Sequence, residues 1–119
     1  MAESAKGPYD RTIFYVSDGT GITAETFGHS LLSQFENMTL RQIRLPFIET
    51  LDKAEEALKR IRQQASVDGK RPIVFSTLVN PEINQVMRQA EVMFIDLFAT
   101  FVEPLEAELG VRSTHTIGR

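Results

Sequence analysis

The stretch IFYVSDGTGITAET, residues 13–26, decides how the chain folds. Its first four residues are apolar and predict a buried strand. Gly19 and Gly21 predict a tight turn, because glycine adopts positive φ without a steric penalty. Thr23 is placed to cap a following helix with its hydroxyl, and Glu25 would lie in the first turn, where negative charge is favourable. The stretch therefore predicts a strand, a turn and a helix.

This turn has two interpretations. Backbone N–H groups and the positive end of a helix dipole would point at one place, which suits an anion such as phosphate. Any α/β domain, however, uses glycine and a cap between strand and helix, and neither a GxGxxG nor a Walker motif is completed here. The turn alone leaves a phosphate site and a purely structural role open.

Composition limits the class of protein. The chain has 119 residues, of which 42% are hydrophobic, enough for one domain with a core. A net charge of -3, with scattered Lys and Arg, argues against a nucleic-acid partner. The absence of cysteine excludes disulfides and Cys-ligated metal, and no apolar run approaches the ~20 residues of a membrane helix. We expect a cytoplasmic protein with no membrane partner, no bound metal and no cofactor held within these residues.

Four strand-like segments alternate with four helix-like segments. Such alternation predicts a mostly parallel sheet with helices on both faces, an α/β three-layer sandwich. Pro46 cannot donate to a ladder, so the second strand belongs at an edge, which gives the strand order 2-1-3-4. The strands are expected at 12–16, 40–47, 72–77 and 92–96, and the helices at 24–35, 51–67, from 81 onward and at 98–109.

Periodicity predicts which apolar side chains face the core. The third helix has the clearest start signal, with Asn80 as cap and Pro81 at the first helical position. Pro104 should kink the last helix and Gly110 should end it. The residues expected to be buried include Ala24, Phe27, Gly28, Leu31, Phe35, Ile43, Leu45, Phe47, Met87, Met93, Phe98, Phe101, Val102, Leu105 and Leu109.

The ends of the chain differ from its centre. Residues 1–10 are small, polar and interrupted by Gly-Pro, which predicts a flexible tail. Residues 11–110 form the predicted single α/β domain. Residues 111–119 have no period and are interpreted as a linker.

A ligand site is expected at the carboxyl ends of the first and third strands, where the winding of the sheet reverses. Asp18 could act there as a general base or metal ligand, although Asp is also a common turn former. Hydroxyl groups at helix starts could bind phosphate, but they are capping groups first. The candidates for binding phosphate or another anion are Gly19, Thr20, Gly21, Thr23, Ser76, Thr77 and Asn80.

Four stretches carry a resemblance to a known family. They are VSDGTGITAETFGHSLLSQF at 16–35, RLPF at 44–47, PIVFSTLV at 72–79 and FVEPLE at 101–106. The chain resembles the bacterial phosphoenolpyruvate synthetase regulatory proteins, which are related to the pyruvate, phosphate dikinase regulatory proteins. The resemblance extends from about residue 11 to 119.

The resemblance implies a bifunctional enzyme. Such an enzyme inactivates its target synthetase as an ADP-dependent Ser/Thr kinase and reverses the modification as a phosphate-dependent pyrophosphorylase. ADP and inorganic phosphate are then substrates, and phosphoenolpyruvate synthetase, or the related dikinase, is the protein partner.

One motif of the family is missing from these residues. The resemblance implies a Gly-x-Ser-Arg-x-x-Lys-Thr phosphate loop in a C-terminal domain, and no such run occurs here; Gly69-Lys70 is followed by Arg71-Pro72. We therefore interpret the chain as the N-terminal domain of such an enzyme, inactive alone. The partners to consider are its own C-terminal domain and, in a homodimer, a second copy. The alternatives are a stand-alone flavodoxin-like module that binds phosphate or a nucleotide, and an interaction domain without catalysis.

Overall fold

The computed structural model describes residues 9–114, so residues 1–8 of the predicted tail and 115–119 of the predicted linker lie outside it. Strands and helices alternate along these residues as predicted. The elements are β1 (Arg11–Val16), α1 (Ile22–Leu32), β2 (Leu40–Leu45), α2 (Leu51–Asp68), β3 (Ile73–Ser76), α3 (Pro81–Met87), β4 (Met93–Asp96), a π-helical turn (Phe98–Val102) and α4 (Glu103–Leu109).

The four strands form one parallel sheet in the order β2-β1-β3-β4. Phe14 of β1 lies opposite Ile43 of β2 and Val74 of β3. The predicted strand order, the central place of β1 and the edge position of β2 are confirmed. Residues 13–16 of β1 are all apolar, as suits a strand that neighbours cover on both faces and along both edges.

Alternate residues of β1 enter two separate cores. Phe14 and Val16 pack with α2 and α3 on one face of the sheet. Ile13 and Tyr15 pack with Ala24 of α1 on the other face. The predicted three-layer α/β sandwich is therefore confirmed, with the sheet between α1 and the α2–α3 pair.

The start and end of α2 and the start of α3 lie where the sequence predicted, whereas α3 already ends at Met87. The hydroxyl of Thr50 accepts the N–H of Lys53 at 3.2 Å, and Gly69, at φ 68°, ends α2. Asn80 Oδ1 accepts the N–H groups of Glu82 and Ile83 at 2.8 and 3.2 Å, which confirms it as the cap of α3.

Replacing Asn80 by alanine should lower the free energy of unfolding by about 1 kcal/mol, because two backbone N–H groups lose their acceptor. Urea denaturation of the variant measures the loss. Asn80→Asp, which keeps a capping oxygen, is the control and should stay near the wild type. An equal loss in both variants would contradict a capping role.

The start of α1 differs from the prediction. The helix begins at Ile22 after Gly21, which adopts φ 86° and serves as the N-cap without a side-chain hydrogen bond. Thr23 lies inside the first turn, so its predicted capping role is wrong. Gly19 does not adopt positive φ, because Gly21 alone makes the left-handed step. Glu25 lies in the first turn as predicted.

Several side chains predicted to be buried are exposed. Phe35 lies beyond the end of α1, and Met93 lies on the edge strand β4. Phe47 adopts φ 58° and is exposed, while the next residue, Ile48, enters the core in its place. The predictions that failed in this way concern Leu31, Phe35, Phe47, Met93, Phe101, Leu105 and Leu109.

The last helix is not regular. Residues 98–102 form a π-helical turn in which the N–H of Glu103 donates to the carbonyl of Phe98, five residues back. Pro104 follows directly and has no N–H to give, so the widened turn replaces the simple kink that we predicted. Gly110, at φ 71°, ends α4 as predicted.

Candidate functional site

The loops that follow β1 and β3 are adjacent. The N–H of Thr77 donates to the carbonyl of Val16 at 3.1 Å. Asp18 and Asn80 line one open cavity of about 440 Å³, which Ile48, Glu49, Val79 and Ile83 complete. The topology predicted this juxtaposition, and it positions one side chain from each loop around a common space.

The loop after β1 is held by the segment that follows β2. The N–H of Phe47 donates to the carbonyl of Gly19 at 2.8 Å, and the N–H of Ile48 donates to that of Ser17 at 2.9 Å. Within the loop, the N–H of Gly19 donates to the Ser17 hydroxyl at 3.0 Å. The loop is thus fixed by its own hydrogen bonds, and Phe47 adopts its unusual backbone angle at one of them.

Asp18 has a carboxylate that the fold does not use. Within residues 9–114 it makes no hydrogen bond or ion pair, and the side chain that forms the local turn is that of Ser17. The side chain is partly exposed at the cavity. Its carboxylate is available to accept a proton or a hydrogen bond from a ligand.

Most of the predicted anion-binding groups are occupied by the protein itself. Ser76 and Thr77 are buried, and the Ser76 hydroxyl accepts the N–H of Leu78 at 3.1 Å. Asn80 caps α3, and the Thr20 hydroxyl lies 3.4 Å from the N–H of Ile22. Phosphate binding by these groups stays a prediction.

The charge of the cavity points to a different ligand group. Among residues 9–114, its lining includes Asp18 and Glu49 and no Lys or Arg. Two carboxylates repel an anion and favour a hydrogen-bond donor, such as a hydroxyl. The cavity therefore suits a hydroxyl group better than a phosphate.

A basic residue of β2 that the site prediction missed lies beside the start of α1. The Cδ of Arg44 would lie 3.4 Å from a Cβ added at Gly21, and its Nε lies 3.7 Å from the Glu25 carboxylate. The positive end of α1 and a guanidinium thus lie together on the β2 side of the loop. The available signal was the RLPF stretch, which carried the family resemblance but no assigned role.

Tyr15 lies beneath α1, in the core on that face of the sheet. Its hydroxyl donates to Gln42 Oε1 at 2.5 Å, and its ring stacks on Phe75 at 5.8 Å. Burial, with a smaller contribution from the charge of Glu25, raises the pKa of Tyr15 from 10.0 to about 12. The phenol therefore stays protonated to a higher pH in the folded state than in the unfolded state.

The raised pKa of Tyr15 makes the free energy of unfolding depend on pH under alkaline conditions. The unfolded state loses the proton first, so the free energy of unfolding should fall as the pH rises from about 10 to about 12. Tyr15→Phe should remove this part of the decrease. Urea denaturation of both proteins across that range measures it, and parallel pH curves would contradict the shift.

Across residues 9–114 no cluster of three or more His, Asp or Glu side chains is arranged to hold a metal ion. In the same part of the chain, no helix is both long and apolar enough to cross a bilayer.

The fold and this site can be compared with known proteins. The model of the kinase/pyrophosphorylase family matches residues 13–119, from the second residue of the predicted first strand to the last residue of the chain. The chain belongs to the kinase/pyrophosphorylase family.

Within the family, similar proteins carry the provisional name phosphoenolpyruvate synthase regulatory protein. One from Herminiimonas arsenicoxydans is 62% identical over 112 residues, which are 94% of this chain and 40% of the relative. One from Ralstonia nicotianae is 55% identical over all 119 residues, 42% of its length. A third, from Bordetella pertussis, is 56% identical over 94% of this chain and 41% of its own length. The chain thus spans about two fifths of the length of these relatives.

Proposed function

We propose that this chain is the N-terminal domain of a cytoplasmic enzyme that regulates phosphoenolpyruvate synthase by reversible phosphorylation of a threonine. The family match over residues 13–119 carries the proposal. The names of the relatives support the choice of the synthase as target.

The proposed chemistry has two directions. In the kinase reaction the threonine hydroxyl attacks the β-phosphorus of ADP, the bond to AMP breaks and the hydroxyl proton needs an acceptor. In the pyrophosphorylase reaction inorganic phosphate attacks the phosphorus of phosphothreonine, pyrophosphate forms and the threonine oxygen regains a proton. Both directions depend on positioning and on neutralising phosphate charge.

The described residues would supply the acceptor side of this reaction. Asp18 would accept the threonine proton, since its carboxylate is unpaired and faces a cavity that favours a hydroxyl. Arg44 and the start of α1 would stabilise phosphate charge beside it. Nucleotide binding would fall to a C-terminal phosphate-loop domain joined through residues 111–119, so the 119 residues alone should not transfer phosphate.

The test uses the intact polypeptide made from the gene, purified phosphoenolpyruvate synthase and ADP. We expect phosphothreonine on the synthase by mass spectrometry, loss of synthase activity, and recovery with release of pyrophosphate when phosphate is added. Pyruvate, phosphate dikinase in place of the synthase is the control for the target. An intact polypeptide that modifies neither protein would overturn the proposal.

Binding of a small phosphate compound without catalysis is a second candidate, favoured by Arg44 beside the start of α1. Calorimetry of the 119-residue chain with ADP, AMP, phosphate and pyrophosphate tests it. Heat with any of them, abolished by Arg44→Ala, would support this function, and no heat with all four would remove it.

A further inference from the structure

One side of α1 carries an open apolar groove. It measures about 390 Å³, and the described residues that line it are all uncharged: Ile22, Thr23, Thr26, Phe27, Ser30 and Leu31. Ile22 and Leu31 are exposed, and the helix buries Ala24 and Gly28 instead. The sheet therefore covers one side of α1 and leaves this second apolar side open.

The apolar surface continues onto the end of the domain. The ring of Phe27 lies 5.0 Å from that of Phe101 in the π-helical turn. Leu105 and Leu109 follow Phe101 at helical spacing, with 57% and 67% of their surface exposed, and α4 has no buried residue. We name the set Ile22, Phe27, Leu31, Phe101, Leu105 and Leu109 the α1–α4 face.

A surface of this kind needs a covering partner. Several large apolar side chains in one continuous strip mark an interaction site, whereas single ones are ordinary. A helix of seven residues is also too short to be stable without packing. We therefore expect another surface to pack against the α1–α4 face and stabilise α4.

Charge disfavours a second copy as that partner. The segments 22–32 and 98–109 contain Glu25, Glu103, Glu106 and Glu108 and no Lys or Arg. Glu25 pairs with Arg44 and Glu106 accepts the N–H of Ser113, which leaves the carboxylates of Glu103 and Glu108. Two such faces brought together would place carboxylates against carboxylates. The complementary surface is apolar with a rim of basic residues.

We propose that the α1–α4 face is the docking surface for the part of the intact polypeptide that lies outside the matched stretch. The relatives have that additional length, since the chain covers only 40% of the Herminiimonas protein. α4 is the last described helix, so a segment continuing from it would be tethered beside the face at high effective concentration. The inference rests on the proposed function only in that the intact protein is longer than 119 residues.

Thiol labelling tests this directly, because the 119 residues contain no cysteine. Leu105→Cys places a thiol on the α1–α4 face. Val67→Cys is the matched control, an exposed apolar position on α2, whose helix packs on the opposite face of the sheet. Each variant is made in the 119-residue chain and in the intact polypeptide, and maleimide labelling is followed at the introduced residue by peptide mass spectrometry.

We expect Cys labelling at position 105 to be at least about tenfold slower in the intact polypeptide than in the 119-residue chain, and unchanged on dilution, with equal rates at position 67. Equal rates at position 105, or a reading frame that stops after Arg119, would overturn the proposal. So would slow labelling that depends on protein concentration, because a second copy would then be the occupant. The phosphothreonine assay on the same preparation separates failure of the docking proposal from failure of the proposed function. An active protein that is labelled at position 105 as fast as the 119-residue chain refutes only the docking. An inactive protein that is labelled slowly at position 105 refutes only the function.

Discussion

Replacing Gly28 by alanine is expected to destabilise the domain by about 2 kcal/mol, although alanine is the better helix former. A Cβ at this position would lie 2.4 Å from Cε1 of Tyr15 and 3.1 Å from its Cζ and hydroxyl oxygen. Such distances require movement of either the ring or the helix.

Neither partner can move easily. The Tyr15 ring is fully buried, stacks on Phe75 and is fixed by its hydrogen bond to Gln42. Lifting α1 would open the core that Ala24 forms with β1. Overpacking of this kind costs about 1–3 kcal/mol, more than the roughly 1 kcal/mol that helix propensity returns.

A double-mutant cycle isolates the contact. Tyr15→Leu removes the ring atoms that the new methyl group would meet, so Gly28→Ala should cost clearly less in that background. Ser30→Ala, at an exposed position of the same helix, controls for propensity. Urea denaturation measures all variants, and a Gly28→Ala protein more stable than the wild type would show that α1 does not press on Tyr15.

The packing of α1 on Tyr15 shows where prediction from the sequence succeeds and where it fails. The elements around β1 could be predicted because each depends on local signals: an apolar run, a cap at Asn80 and a stop at Gly69. The burial of α1 was predicted only in part, because Ala24 and Gly28 face the sheet as expected and the larger Leu31 does not. Periodicity favours the larger apolar side chains as the core side, whereas close packing over a buried tyrosine selects the small ones.

The location of the candidate site could be predicted from the sequence, but the polar groups that stay free in it could not. The meeting of the loops after β1 and β3 follows from strand order, so Asp18 and Asn80 were rightly placed together. Which polar groups stay free is decided by hydrogen bonds that no spacing reveals, such as that from Leu78 to Ser76. The position of Arg44 beside Gly21 depends on the register of β2 against β1, which pairs Leu45 with Val16.

Replacing Asp18 by asparagine is expected to lower kcat of the intact enzyme by about 100-fold to 10,000-fold in the kinase direction. Asparagine has nearly the same shape but cannot accept the threonine proton. KM for ADP should change little, because the proposed nucleotide site lies outside these residues. The thermal stability should also stay constant, since within residues 9–114 the Asp18 carboxylate makes no hydrogen bond or ion pair.

The reverse reaction sharpens this prediction. A group that accepts the proton of threonine in one direction returns it to the threonine oxygen in the other, so Asp18→Asn should slow the release of pyrophosphate by a similar factor. Glu49→Gln is the matched control, because Glu49 lines the same cavity and carries the same charge. If both variants lost activity equally, the charge of the cavity rather than a proton acceptor would be responsible. An Asp18→Asn enzyme with more than half of the wild-type kcat would exclude Asp18 as the base and leave the hydroxyl to be activated by a residue of the remaining polypeptide.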